Sequence, residues 1–157
     1  MERIGIGFDS HRLVPSRKLI LGGVEIPFEF GLLGHSDGDV LIHSIIDAIL
    51  GAIHSGNIGK MFPDTNPEFK GISSIKLLER VVSILSDKNF KIVNVDSVLI
   101  MEKPKILPFV DSIEKNIATA LGISCNSVSV KPKTNEGMGF IGRGEGIAAI
   151  SVVLIEK

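Results

Sequence analysis

The chain has 157 residues, 44% of them hydrophobic, which suits a single domain with a substantial buried core and excludes a disordered polypeptide. With 17 Lys plus Arg against 18 Asp plus Glu, the formal net charge is −1, so no broad basic field exists to gather nucleic acid or an anionic membrane. There are 8 Phe but neither Trp nor Tyr, which argues against stacking platforms for bases, and 17 Gly imply tight turns or close backbone approaches.

Arg3 to His11 reads RIGIGFDSH, in which Ile4, Ile6 and Phe8 alternate with Gly5, Gly7 and Asp9. That alternation predicts a half-buried strand whose polar face runs into Asp9 and His11. The opening stretch lacks the basic flank and the run of roughly 7 to 15 apolar residues that a secretory signal carries. Lys18 to Val24, around Gly22-Gly23, predicts a short hairpin or bend, and Gly31 to Gly38 reads as loop. Ser36 followed by Asp39 resembles a capping box that opens a helix running to about Ile53. On that helix Asp39, His43, Asp47 and His54 share an arc of about 80° at about 100° per residue, opposite Ile42, Ile45, Ile46, Ile49 and Ile53. Polar residues interrupt it, and it is shorter than the roughly 20 apolar residues of a membrane span.

Gly56 to Gly71 has no periodicity and is a candidate substrate loop. Ser73 or Ser74 can cap the next helix, whose apolar spacing is Ile75, Leu78, Val82 and Leu85. Lys91 to Lys103 alternates as a strand, and Val110, Ile113, Ile117 and Leu121 mark a helix ended by Gly122. Ser127 to Lys133 and Gly146 to Ile155 are the last strands. Cys125 is the only cysteine, so neither an intrachain disulfide nor a four-cysteine zinc site can form, and a reducing location is expected, cytoplasmic or that of a mature organellar form. This order of elements predicts one domain over residues 1–157, an α/β (α+β) sandwich of a mixed sheet with helices on one face.

Asp9 and His11 lie two apart on the first strand, so their side chains share a face, and His43 can join them from the helix. One carboxylate and two imidazoles suit Zn²⁺ with a fourth position left open for water or substrate. A D-x-H pair alone is a common surface pattern, but a helical His flanked four residues away by Asp on both sides is less so. Asp39 or Asp47 can accept the proton of the ring nitrogen that does not face the metal. His35, in H-S-D-G-D before the helix, stands where free backbone N–H groups favour anions. Lys131, Lys133, Thr134 and Glu136 lie at a strand end before a glycine-rich stretch around Arg143, weak evidence taken alone.

Taken together, RIGIGFDSH, GLLGHSDGDVLIHSIIDAILGA, GNIGKMFPDTNPEFKG, NVDSVLIMEKPKILPF and GFIGRGEGIAA resemble the 2-C-methyl-D-erythritol 2,4-cyclodiphosphate synthase family of the non-mevalonate isoprenoid pathway, across the whole chain. The resemblance implies a homotrimer with active sites between subunits, and a lyase that cyclises 4-diphosphocytidyl-2-C-methyl-D-erythritol 2-phosphate. The 2-phosphate attacks the β-phosphorus and CMP leaves. It further implies zinc on Asp9, His11 and His43, a second divalent cation (Mg²⁺ or Mn²⁺) on Glu136, phosphate contacts from His35 and Ser36, and transition-state stabilisation by Thr134. Asn57, Ile58, Gly59, Phe62, Pro63, Asp64, Thr65 and Asn66 would contact the methylerythritol phosphate part. Met101, Glu102, Lys103, Pro104, Lys105, Ile106 and Leu107 would hold cytosine, largely through backbone groups. Lys133 and Asn135 would flank the phosphates beside Thr134 and Glu136. Phe140 and Arg143 match positions lining a threefold-axis cavity that accepts an isoprenoid diphosphate; the other reading of Arg143 is an intersubunit ion pair with Glu145.

Metals suit this chemistry because two unit charges 4 Å apart repel by about 4 kcal/mol at an effective dielectric of about 20, and each phosphate carries more than one. Two positions depart from the family: Asn57 stands where Asp is usual, and Lys133 where Thr is frequent. Two other readings remain open on the residues, a zinc phosphohydrolase and a non-catalytic trimeric binding module that keeps the axial cavity.

Overall fold

The computed structural model describes residues 1–157. Strand β1 (Glu2–Pro15) pairs antiparallel with β7 (Gly146–Glu156) from Glu2↔Glu156 to Arg12↔Gly146. Beyond β7 lie β5 (Lys91–Ile100), antiparallel to it, and β6 (Val128–Lys133), parallel to β5. The short β4 (Phe30–Leu32) pairs with the end of β1, giving the order β4-β1-β7-β5-β6, and β2 (Leu19–Leu21) with β3 (Val24–Ile26) forms a separate hairpin. The hairpin turns on Gly22 and Gly23, both at positive φ (59° and 73°), the left-handed pair that a two-residue turn demands.

Helix α1 (Val40–Ala52) packs on β1 and β7, α4 (Val110–Leu121) on β6, and α3 (Ser74–Asp87) against α1 and α4. The expected mixed sheet with helices on one face is therefore present. Every residue of α1 except Asp47 and Gly51 is buried, because the helix lies between the sheet and α3. Helix α4 ends at Gly122 in the left-handed conformation (φ 68°), as its position after Leu121 predicts. The buried stripe of α3 is Leu77, Leu78, Val81 and Leu85, which leaves Ile75 and Val82 at its margin. The segment from Gly56 to Gly71 is not wholly irregular: it contains α2 (Ile58–Met61) and a 3₁₀ turn at Pro67–Phe69.

The orientation of β1 is the reverse of the expectation. Gly5 and Gly7 face the helices, and Ile4, Ile6 and Phe8 point to the opposite, uncovered face of the sheet. The cause is the closeness of α1. A Cβ on Gly5 would sit 1.8 Å from the carbonyl oxygen of Ala48, and one on Gly7 would sit 1.9 Å from that of Ser44. Only glycine permits this approach. Beside it, buried hydroxyls join helix to sheet: Ser44 Oγ lies 2.6 Å from Ser151 Oγ, which lies 2.8 Å from Ser97 Oγ.

Asp39, not Ser36, caps α1. Its Oδ1 accepts from the N–H of Ile42 at 3.1 Å and of Gly22 at 3.0 Å, and its Oδ2 accepts from the N–H of Gly23 at 2.7 Å. One buried carboxylate thus ties the hairpin turn to the start of the helix. Burial and the nearby Asp37 carboxylate push Asp39 from the usual 3.8 up to about 6, against the pull of its three backbone donors.

Two outcomes follow from this packing. Gly7→Ala is expected to destabilise the fold by about 3 kcal/mol, because the methyl must displace α1 or bend β1; urea unfolding measures it, and an unchanged midpoint contradicts the packing described. A carboxyl whose folded pKa is raised binds its proton more tightly when folded, so its contribution is most favourable at low pH and declines as pH rises from about 4 to about 6. In metal-free protein, the stability of wild type minus that of Asp39→Asn should be larger at pH 4.5 than at pH 7 by about 2 kcal/mol. A flat difference would refute the raised value.

Candidate metal and substrate site

Close packing of α1 on β1 determines what the first turn of the helix can touch. His43 projects onto the strand at Asp9 and His11, so three ligand atoms from two elements converge. His11 Nε2 lies 2.9 Å from Asp9 Oδ2, His43 Nδ1 lies 3.0 Å from the same oxygen, and the two nitrogens are 3.1 Å apart. The outer nitrogens have partners of their own. His11 Nδ1 is 2.6 Å from the carbonyl oxygen of Leu33, which can only accept, so that nitrogen carries the proton. His43 Nε2 is 2.9 Å from Ser74 Oγ and 3.1 Å from Ser36 Oγ.

With a proton on each outer nitrogen, the neutral rings would turn two lone pairs and a carboxylate oxygen toward one point, the form in which such a set binds a metal. Such a set can hold a metal ion at its centre. All three ligand atoms lie within 4.8 Å of one another, and two imidazoles with one carboxylate match the donor set of a zinc site with an open position. Without a cation, the same closeness favours the charged forms of Asp9 and His11. Burial would raise the pKa of Asp9, but hydrogen bonds and charge from His11 and His43 outweigh it and bring Asp9 down to about 2. Burial would likewise lower His11, yet Asp9 holds it above 6.5.

The triad forms the floor of a cavity of ≈ 310 Å³. Of the residues expected on its walls, His35, Ser36, Ile58, Gly59, Phe62 and Asp64 are there, joined by Phe69 and Leu77, which sequence reasoning missed. Phe69 stacks edge-on against Phe62 with ring centroids 5.3 Å apart, so the loop carries its own small apolar cluster. The remaining loop residues shape the wall without lining it. Asn57 Oδ1 accepts from the N–H of Lys60 and caps α2, and His35 Nε2 donates to the carbonyl oxygen of Asn66 at 3.2 Å. Pro63 and Thr65 lie between them in the same loop.

Asp39 and Asp47 do not bond to His43. Asp39 is occupied by three backbone donors, and Asp47 Oδ1 accepts from the N–H of Ile58 at 2.7 Å, anchoring the start of α2. A shared helical arc placed them near His43 but could not show that the hairpin and α2 would claim them. The ring's outer nitrogen goes to two serines instead.

The other expected residues form a second patch. Pairing of Ile100 with Lys133 sets Met101–Leu107 beside Lys133–Glu136, and the Met101 N–H donates to the Lys133 carbonyl at 2.9 Å. Glu102 Oε1 accepts from the N–H of Asn135 at 2.8 Å, and Thr134 Oγ1 donates to Glu136 Oε1 at 3.3 Å. Pro104, Lys105, Ile106 and Leu107 continue this loop. None of these residues lines the triad cavity. Three strand spacings separate β1 from β6, roughly 14 Å, too far for one ligand atom to bridge. Glu102 and Lys103 border a different cavity, of ≈ 380 Å³, together with Arg143. Arg143 pairs within its own chain, Nε to Glu145 Oε1 at 2.7 Å, and Phe140 nearby is 42% exposed.

Comparison with known proteins gives the family of the chain. Residues 2–156 match the model of the YgbB family. The chain is 57% identical, over 99% of both sequences, to the 2-C-methyl-D-erythritol 2,4-cyclodiphosphate synthase of Caldicellulosiruptor bescii. Among solved structures it superposes with a TM-score of 0.95 on the bifunctional IspDF from Campylobacter jejuni, at 41% identity, covering 99% of this chain and 42% of that one. It superposes with a TM-score of 0.87 on the CDP complex of IspF from Plasmodium falciparum, at 39% identity, covering 98% and 95% of the two chains. From end to end, then, the chain belongs to the YgbB family, that of the 2-C-methyl-D-erythritol 2,4-cyclodiphosphate synthases.

Proposed function

We propose that this chain cyclises 4-diphosphocytidyl-2-C-methyl-D-erythritol 2-phosphate to 2-C-methyl-D-erythritol 2,4-cyclodiphosphate in isoprenoid precursor synthesis. An oxygen of the 2-phosphate bonds to the β-phosphorus, the bond from that phosphorus to the bridging oxygen breaks, and CMP departs with its electron pair. Full-length similarity to cyclodiphosphate synthases supports the reaction, and the single structural observation that carries it is the convergence of Asp9, His11 and His43 on the floor of the cavity.

In this reading Asp9, His11 and His43 hold Zn²⁺, and Glu136 holds Mg²⁺ or Mn²⁺; bound there, the cations supply charge neutralisation for phosphates that otherwise repel. Ser36 and His35, at the mouth of α1, flank the β-phosphate, with the Ser36 hydroxyl as the donor. Ile58, Gly59, Phe62 and Asp64 enclose the methylerythritol part and exclude water. Asn57 spends its side-chain oxygen on the α2 cap and has only its amide N–H₂ to offer a substrate hydroxyl. Thr134, with Lys133 and Asn135 alongside, steadies the transferring group, and the backbone of Met101–Leu107 holds cytosine. The attack is already intramolecular in the substrate, so what fixing both phosphates adds is alignment of the reacting atoms, and no protein nucleophile is needed.

The two patches complete each other in a homotrimer with its active sites between subunits. The uncovered face of the sheet supports this: Ile4, Ile6 and Phe8 are 72%, 69% and 57% exposed, beside Val152 at 39%, an apolar surface that a lone chain would leave in water. Phe140 and Arg143 at its edge suit an isoprenoid diphosphate on the threefold axis. No helix is long and apolar enough to cross a membrane, in keeping with a cytoplasmic enzyme.

Incubation of purified protein with the cytidyl substrate, Zn²⁺ and Mg²⁺ is expected to release CMP without orthophosphate. His43→Ala should lose bound zinc and at least about a thousandfold in kcat while sedimenting as the wild type does. Release of orthophosphate, or a zinc-replete and active His43→Ala, would refute the assignment.

A further inference from the structure

The outer nitrogen of His43 has two hydroxyls within reach, and they are not equivalent. Ser36 lines the triad cavity. Ser74, the first residue of α3, is 0% exposed and lines no part of that cavity. Its Oγ bonds to Asp37 Oδ1, and its own N–H donates to Asp37 Oδ2 at 2.9 Å. A carboxylate oxygen can only accept, so the Ser74 hydroxyl proton is committed to Asp37. The lone pairs of Ser74 Oγ are then what His43 Nε2 meets at 2.9 Å, and that nitrogen must be the donor.

We propose that Ser74, backed by Asp37, is the positioning residue that sets the tautomer and ring orientation of His43, so that Nδ1 is presented bare to the cation while Ser36 is left free for substrate. The inference rests on reading the triad as a metal site. Its direction is fixed at every link: Nε2–H donates to Ser74 Oγ, and Ser74 Oγ–H donates to Asp37. A neighbouring negative charge at the end of such a chain makes the imidazole a stronger ligand, and hydrogen-bond partners of this kind are worth about 10- to 100-fold in metal affinity. The same contacts explain a helix start that has no side-chain cap. Ser73 occupies the cap position of α3 without bonding to it, and Asp37 accepts the N–H of Ser74 from the far side of the α1 entry loop. Asp37 also accepts from the N–H of Asp39 at 3.1 Å, so one carboxylate joins the starts of both helices.

The test is zinc affinity of the metal-stripped full-length protein, by competition with a chromophoric chelator, alongside the visible spectrum of the cobalt-loaded form and NMR of the histidine ring nitrogens without metal. Ser74→Ala is expected to bind zinc about 10- to 100-fold more weakly, to alter the cobalt spectrum and to lose the single Nε2-protonated form of His43. Ser36→Ala should keep zinc affinity within about threefold of wild type, as expected for a hydroxyl outside the relay. Should Ser74→Ala not fold, Asp37→Asn retains the shape of the link and is expected to weaken zinc in the same sense. Ser74→Ala or, in its place, Asp37→Asn with wild-type affinity and spectrum overturns the proposal, as does Ser36→Ala losing as much as Ser74→Ala. Wild-type protein that takes up no zinc would instead overturn the metal reading itself.

Discussion

Contact between α1 and β1 without intervening side chains is the constraint on which the rest of the structure depends. Because Gly5 and Gly7 present no Cβ, the carbonyls of Ala48 and Ser44 lie almost on the strand backbone, and the next residues along each element meet as ligands. Asp9 and His11 continue the inward face of β1, and His43 occupies the facing turn of α1. A helix held farther off by side chains at positions 5 and 7 would leave His43 short of the strand. Loss of two side chains from the core is offset by the buried apolar face of α1 against β7 and α3, and by the Ser44–Ser151–Ser97 hydroxyl chain.

Polar anchoring at the helix start completes the arrangement. Asp39 fastens α1 to the Gly22–Gly23 turn, Asp37 fastens α1 to α3, and Asp47 fastens α1 to α2. Each of these acids accepts backbone N–H groups, and none belongs to the Asp9–His11–His43 cluster. Near-neutral net charge is consistent with a phosphate-processing site on the proposed plan, in which the positive charge would enter as bound divalent cations that a count of side chains does not include.

Much of this was legible in the sequence because it is local. The hairpin at Gly22–Gly23, the end of α4 at Gly122 and the shared face of Asp9 and His11 follow from turn chemistry and spacing along single elements. What escaped depends on contacts between elements. Alternation in RIGIGFDSH shows two faces but not which one is buried, and the apolar face proved to be the uncovered one because helix packing selects for backbone closeness at the glycines. Helical periodicity brought Asp39 and Asp47 near His43, yet their partners come from 17 and 11 residues away in the chain. Ser74 lies 31 residues from His43, and no spacing rule joins them. The second patch, at Met101–Leu107 and Lys133–Glu136, was readable only through resemblance to a family, since its partners lie across a subunit boundary in the assembly proposed.

The central claim is that three bare donor atoms of one chain enclose a zinc ion. Anomalous diffraction from zinc-soaked crystals, recorded on both sides of the zinc absorption edge, tests it directly. The account predicts a single strong peak per chain at about 2.0–2.2 Å from Asp9 Oδ2, His11 Nε2 and His43 Nδ1. No peak at that point, or a peak bound through His43 Nε2, would contradict it.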